Sequence, residues 1–332
     1  MTRYVIVGAG AVGAALAVQL RERGHEILLV ARGETLEHLA RKPLSYHTHA
    51  GHQDVSLPVV GPDDDFGLRV GDLLVLAVKT QDLPATLPSL AWREVRDGRG
   101  AAVGVAADTL PLITVQNGLD AEGSAARWFD SVIGAVMMLT AQYSRVGEVR
   151  VGGHPHIGGV IAGHSVGARA TTEPVVRAFV DDVRDAGFVA AAVDDIAACK
   201  AGKLLHNVRN GVEVFAGPRA TKDAVGAALT AEAREVFLAA GIEFRDAPDL
   251  VLDPAQQYTS ERAGVRAGRT STWQSFTRGV ANEVDYLNGE IALLARQHGL
   301  TAPLNARLQQ LLGRAAADGG GTDLSGLAEL TK

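Results

Sequence analysis

The sequence predicts an α/β chain, with a doubly wound, mostly parallel sheet in its N-terminal part and an all-helical domain after it. Three observations predict this. Short apolar runs alternate with helix-patterned stretches as far as about residue 193, the signature of parallel strands joined by crossover helices. Gly8, Gly10 and Gly13 punctuate the first strand-to-helix junction. From Asp195 onward the strand patterns stop, and apolar residues recur at helical spacing.

Taken in order, Tyr4–Val7 reads as the first strand, followed by a helix to about Arg23. Glu26–Val30 is the second strand, with a helix near Thr35–Arg41 and further strands at Leu73–Val78, Leu112–Val115 and Ser131–Val136. Gly147 to Gly167 is rich in glycine and strand formers and suits an antiparallel extension. Thr172–Ala186 is helical and Phe188–Val193 a last strand. Asp195 is placed to cap a helix through Val214, and helices are expected at Lys222–Ala240, Ser271–Gln297 and Asn305–Ala317. The expected domains are therefore residues 1–194, residues 195–318 and a flexible glycine-rich tail, residues 319–332.

Composition narrows the partners. A chain of 332 residues is long enough for two domains. A formal charge of −6, with no basic run carrying interleaved aromatics, argues against nucleic acid. The single cysteine, Cys199, cannot form an intramolecular disulfide or a metal-binding cysteine pair. No apolar run reaches membrane-spanning length, and the first residues already read as strand and turn rather than leader peptide. A cytoplasmic protein without a membrane partner is expected.

The run Tyr4-Val-Ile-Val-Gly-Ala-Gly-Ala-Val-Gly-Ala-Ala-Leu carries the first chemistry. In a chain with 38 glycines the spacing alone recurs by chance, so its setting between apolar strand and alanine-rich helix gives it meaning. Gly8 permits a tight turn, Gly10 lets a pyrophosphate approach the backbone, and Gly13 lets helix pack on strand. Ala9, Ala11 and Val12 complete the loop, whose N–H groups face the phosphates at the helix N-terminus. This is the grammar of a Rossmann-type dinucleotide site.

Arg32 stands just after the second strand, where NAD sites usually place an acid for the ribose 2′-hydroxyl. A guanidinium there suits the 2′-phosphate of NADP, although Glu34 follows two residues later. Lys79 ends the Leu73–Val78 strand, either neutralising a phosphate or simply terminating the strand. Asn117, in Thr114-Val-Gln-Asn-Gly-Leu, either bridges cofactor and substrate or makes the turn that Asn-Gly favours.

Five motifs occur in order: Gly8-Ala-Gly-Ala-Val-Gly, Val78-Lys79-Thr80-Gln81-Asp82, Gln116-Asn117-Gly118-Leu119, Lys203-Leu-Leu-His-Asn207 and Glu283-Val-Asp-Tyr-Leu-Asn-Gly289. Together they resemble the ketopantoate reductase (2-dehydropantoate 2-reductase) family from residue 1 to about 315. The resemblance implies NADPH-dependent reduction of a 2-keto acid between a Rossmann domain and a helical domain. Lys203 then matches the catalytic lysine and Glu283 its acidic partner, which also contacts the cofactor. Asn117, Asn207 and Ser271 match substrate-contacting positions, and Arg32 and Lys79 hold the 2′-phosphate region. A homodimer is permitted by the apolar helical domain. The competing classes are a reductase of a bulkier ketone or imine and a non-catalytic NADP-binding sensor.

The residues support these roles independently. Lys203 and Asn207 lie four apart, so a helix puts both on one face. Leu204, Leu205, Val208 and Val212 mark the adjacent buried face, so the lysine loses part of its hydration, which favours giving up a proton. Lys200, one turn earlier, competes for the same role. Phe276, Val280, Val284, Leu287, Ile291 and Leu294 predict a buried stripe that Glu283 flanks. Ser271 begins Ser-Thr-Trp-Gln, a capping-box pattern. His154 and His156 lack a third ligand for a metal and read as loop histidines, and His206 as a surface or packing residue.

Departures from the family pattern bear on the substrate, among them a longer segment Ala91–Thr109, Met137-Met138 near the expected nicotinamide end, and two changes within motifs. The Asn-Pro usual after the Lys-x-x-x-Asn pair is replaced by Asn210-Gly211, displaced by one position. The usual Ser-Ser-Met-Leu-Gln-Asp becomes Thr270-Ser-Thr-Trp-Gln-Ser275, which loses an acid and adds an indole.

Overall fold

The computed structural model describes residues 1–245, 258–266 and 268–318, so the expected tail lies outside the described residues. Eight strands build the main sheet: β1 (Arg3–Val7), β2 (Glu26–Val30), β3 (Val59–Val60), β4 (Asp72–Leu76), β5 (Leu112–Thr114), β6 (Val132–Met138), β7 (Gly159–Val166) and β8 (Val189–Val193). Their spatial order is β8-β7-β6-β5-β4-β1-β2-β3. Every pairing is parallel except that of β6 with β7.

Alternation along β1 explains its apolar run. Tyr4 and Ile6 join one buried cluster with helix α1 (Ala11–Glu22) and helix α2 (Arg169–Asp185), while Val5 and Val7 join another on the opposite face with Leu74 and Leu76. A strand covered on both faces needs an apolar side chain at every position. Within the buried run Tyr4–Val7, Tyr4 carries the polar group, and its hydroxyl donates to Asp182 Oδ2 at 2.6 Å. Burial, reinforced by that carboxylate, holds the phenol far above its ordinary pKa.

The expected antiparallel extension divides in two. Strand β7 pairs antiparallel with β6. Glu148–Val151 instead joins a separate four-stranded sheet with Ala141–Arg145, Leu44–Thr48 and Gly51–Val55. The strand Gly51–Val55 has no apolar periodicity because it is almost wholly exposed.

The chain divides into two compact units. The second takes Asn117–Leu119, residues 197–245 and the described residues from Arg266 onward. Its helices are α3 (Ile196–Asn207), whose first residue still belongs to the first unit, α4 (Arg219–Ala239), α5 (Ser271–Thr277), α6 (Val284–Gln297) and α7 (Pro303–Ala317). Leu204, Val208, Leu229, Phe237, Ile291, Leu308 and Leu312 form its core. Asn288, fully buried, donates to Val208 O and to Asn305 Oδ1, both at 2.8 Å, so this amide inside the core is paired.

Two helices expected as continuous are broken. The helix from Asp195 ends at Asn207, and Asn210–Val214 forms a separate 3₁₀ turn. The stretch Ser271–Gln297 is two helices, because the chain turns at Gly279, which takes φ 63°. Val280 consequently leaves the stripe and is 44 % exposed, while Phe276, Val284, Leu287 and Ile291 remain buried. Among the described residues no helix is long and apolar enough to cross a membrane.

Candidate active site

The opening turn is shaped by what its glycines lack. Gly8 takes φ 116°, and a Cβ there would lie 2.6 Å from the carbonyl carbon of Ala77. A Cβ on Gly13 would lie 1.9 Å from Gly8 O. At Gly10, by contrast, a Cβ would meet nothing within 4 Å. Two glycines therefore let the backbone close on itself, and the third keeps open space at the N-terminus of α1. That terminus has no side-chain cap, and Ala14 N–H already turns inward to Gly10 O at 2.9 Å. The donors of the first turn, on Ala11, Val12 and Gly13, have no intrahelical acceptor, and so suit an anion. Ala9 is buried beneath the turn.

Neighbouring strand ends align beside it. Gly8 N–H donates to Val30 O at 2.9 Å and Ala77 N–H to Val7 O at 2.8 Å, so the chain leaves β1, β2 and β4 at one edge. Arg32 leaves β2 there as the N-terminal flank of the helix Gly33–Leu39. Its side chain, 68 % exposed, pairs with Asp82 Oδ2 at 2.8 Å. Lys79, half-buried, precedes the 3₁₀ turn Thr80–Asp82. Gln116 is buried, and its Nε2 donates to Leu76 O at 2.8 Å and Val78 O at 2.9 Å, clamping the segment that presents Lys79. Its Oε1 is buried without a hydrogen-bond partner among the described residues.

The second unit gathers another set. Gly118 takes φ 85° and comes so close to the backbone of Tyr286 that a Cβ would lie 2.6 Å from Tyr286 O. Leu119 packs on the helical core. These contacts hold Asn117, whose Oδ1 accepts from Asn207 Nδ2 at 2.9 Å. Asn207 Oδ1 accepts in turn from Asn210 Nδ2 at 3.4 Å. Lys203 stands half-buried one turn before Asn207 on α3, while Lys200 is 3 % exposed, deeper in the same helix. Glu283, half-buried, immediately precedes α6.

Ser271 is not the helix cap. Thr270 has the extended backbone of an N-cap, and its Oγ1 accepts from Trp273 N at 3.3 Å. Gln274 turns back to donate to Arg269 O at 3.0 Å. Ser271 is the first helical residue and is exposed. The Thr270 hydroxyl also donates to Asn210 O at 2.9 Å, which ties the Ser271 helix to the 3₁₀ turn that follows α3. The departure at Asn210-Gly211 has a packing reason, since a Cβ on Gly211 would lie 2.5 Å from Leu312 Cδ1. Trp273 lies under the Arg269 guanidinium, 4.3 Å from its ring centroid.

The structure thus joins Asn117 to Asn207 and sets Lys203 one turn away, whereas Arg32 is joined to Asp82, a residue the sequence reading gave no role. Asn210, Thr270, Gln116 and Asp82 are the residues that sequence reasoning left without roles. All four sit inside or beside motifs already singled out, but their partners lie up to 60 residues away along the chain. Among the remaining histidines, His154 stacks on His49 at 3.7 Å and meets Tyr258, while His156 and His206 are exposed.

The family models for ketopantoate reductase PanE/ApbA match residues 4–159, and those for its C-terminal domain match residues 197–316. The chain belongs to the ketopantoate reductase family. A 2-dehydropantoate 2-reductase of Archaeoglobus fulgidus is 29 % identical over 324 residues, covering 93 % of this chain and 96 % of the relative. The PanE/ApbA family ketopantoate reductase of Ralstonia eutropha JMP134 shares the fold at TM-score 0.73 and 21 % identity, covering 96 % of this chain and 99 % of that one. D-mandelate dehydrogenase, solved with NADH and anilino(oxo)acetate, does so at TM-score 0.76 and 20 % identity with the same coverage. Ketopantoate reductases are oxidoreductases, and the turn described above fits a dinucleotide: Gly10 leaves the space that a pyrophosphate needs, beside unclaimed helix N–H groups.

Proposed function

We propose that this chain reduces the ketone of a 2-keto acid to the 2-hydroxy acid with NADPH, with ketopantoate as the leading substrate. The observation that carries the reading is the Asn117–Asn207 hydrogen bond one turn from Lys203, two oriented amides beside a half-buried ammonium. The Gly8–Gly13 turn would hold the pyrophosphate, and Arg32 and Lys79 would neutralise the 2′-phosphate. The nicotinamide, when bound, supplies a hydride.

The chain's own residues supply the rest. Negative charge collects on the carbonyl oxygen as the carbon is reduced, and Lys203 is placed to give that oxygen a proton. Asn117 and Asn207 hold the substrate's oxygens, each amide oriented by the bond between them. Ser271, exposed at the start of α5, offers a hydroxyl and nearby helix N–H groups to the carboxylate. Glu283 balances the ammonium and holds the cofactor.

Initial rates followed by NADPH absorbance with a keto-acid panel test this. Turnover of ketopantoate is expected, and Lys203→Ala should lower kcat by about 100-fold or more while NADPH affinity barely moves. An unchanged kcat moves the proton donor elsewhere, with the buried Lys200 next in line.

A bulkier 2-keto acid is the second reading. Trp273 under Arg269 places an indole and a guanidinium two residues either side of Ser271, and the D-mandelate dehydrogenase fold-mate holds an anilino(oxo)acetate. Phenylglyoxylate turned over faster than ketopantoate by the same protein favours it.

A further inference from the structure

We infer that Asp82 sets the cofactor preference of this enzyme, weakening its selection of NADP over NAD; this rests on the dinucleotide reading of the first unit. Residues at the end of a second strand usually decide the matter alone, an acid for the NAD ribose or an arginine for the NADP phosphate. Here both chemistries are present but come from different strands. Arg32 follows β2, and the carboxylate reaches it from the turn after β4, with Asp82 Oδ2 2.8 Å from Arg32 Nη2.

That pairing has two consequences. A 2′-phosphate bound by Arg32 sits within a few ångströms of the carboxylate that already holds the same guanidinium. It must share the donors of Arg32 with Asp82 and meets the repulsion of a like charge. The 2′-hydroxyl of NAD carries no charge, so it meets no repulsion and finds an acceptor in Asp82. Glu34, the acid that the sequence offers for the ribose, is exposed in the first turn of the helix Gly33–Leu39. Asp82 is only 26 % exposed, and its carboxylate is already placed on the Arg32 side chain. The pair therefore acts as a divided selector, Arg32 favouring the phosphate and Asp82 the bare ribose.

Calorimetric titration of the whole protein tests this without turnover. NADPH, NADH, adenosine 2′,5′-bisphosphate and AMP are titrated into wild type, Asp82→Asn and Asp82→Glu. In Asp82→Asn, NADPH and the bisphosphate should bind about tenfold tighter, AMP and NADH should bind no tighter than in wild type, and the NADPH-to-NADH preference should rise by that factor or more. Asp82→Glu keeps the charge and should keep the wild-type ratio. A ratio unmoved in Asp82→Asn, or NADPH binding weakened there, overturns the inference, since the carboxylate is then a spectator or merely steadies Arg32. Wild type that binds neither nucleotide defeats the dinucleotide reading itself, whereas wild type that binds and reduces keto acids with a flat Asp82→Asn ratio defeats only the role of Asp82.

Discussion

The opening turn of the first unit and the amide cluster of the second are built in opposite ways. The turn works by absence: Gly8 and Gly13 let backbone meet backbone, and Gly10 leaves space. The cluster works by mutual support, Asn210 bonding Asn207, Asn207 bonding Asn117, and Thr270 reaching Asn210 O. A site made by missing atoms is written in a few consecutive residues. A site made of propped side chains is scattered along the chain.

The sharpest way to break the comparison is within the turn. Gly8→Ala forces a Cβ against the Ala77 backbone at positive φ and should cost about 3 kcal/mol or more in denaturant unfolding. Gly10→Ala meets nothing, so it should leave stability nearly unchanged while weakening NADPH binding about tenfold or more. Equal stability losses in the two variants would erase the distinction between closing and clearing roles.

Gly211 carries the comparison into the second unit. There the glycine makes room for a packed side chain rather than a ligand, and Gly211→Ala should cost about 1–2 kcal/mol because Leu312 is fully buried and has little space to yield. A neutral result would show that the helical core adjusts more easily than the turn does.

The smallest effect concerns protons. Burial, with the nearby Arg150 and His52 charges, holds the pKa of His47 below its ordinary 6.5, while Glu148 and Asp54 oppose this. The folded state therefore keeps His47 neutral where the unfolded chain takes a proton. Its contribution to stability is present above the unfolded value of 6.5 and is lost as pH falls below it. Melting temperatures measured from about pH 7.5 down to pH 5 should fall, and His47→Asn should flatten that slope. An identical slope in the variant would place the acid sensitivity elsewhere.

Most of the main sheet could be read from the chain because β1, β2, β4, β5 and β6 are covered on both faces and show unbroken apolar runs. The exposed hairpin strand Gly51–Val55 has no such signal. The helix breaks after Asn207 and near Gly279 escaped for a related reason. Periodicity reports which residues prefer burial, and Val280 fitted the stripe although the turn at Gly279 carries it outward. The Ser271 capping-box pattern, with Gln274 three residues on, pointed to the wrong cap, since the hydroxyl that accepts from the helix N–H is that of Thr270, another residue type suited to the position.

By itself the sequence determined the fold class and placed the glycine turn, and it supplied the residues proposed for the reduction, because each depends on residue type and short-range spacing. Only tertiary structure decided that Asn117 joins the helical unit, that Asp82 meets Arg32, and that Asn210 and Thr270 brace the amides. Hydrogen bonds and ion pairs form wherever donor meets acceptor in space, and no local pattern records which distant partner the folded backbone delivers.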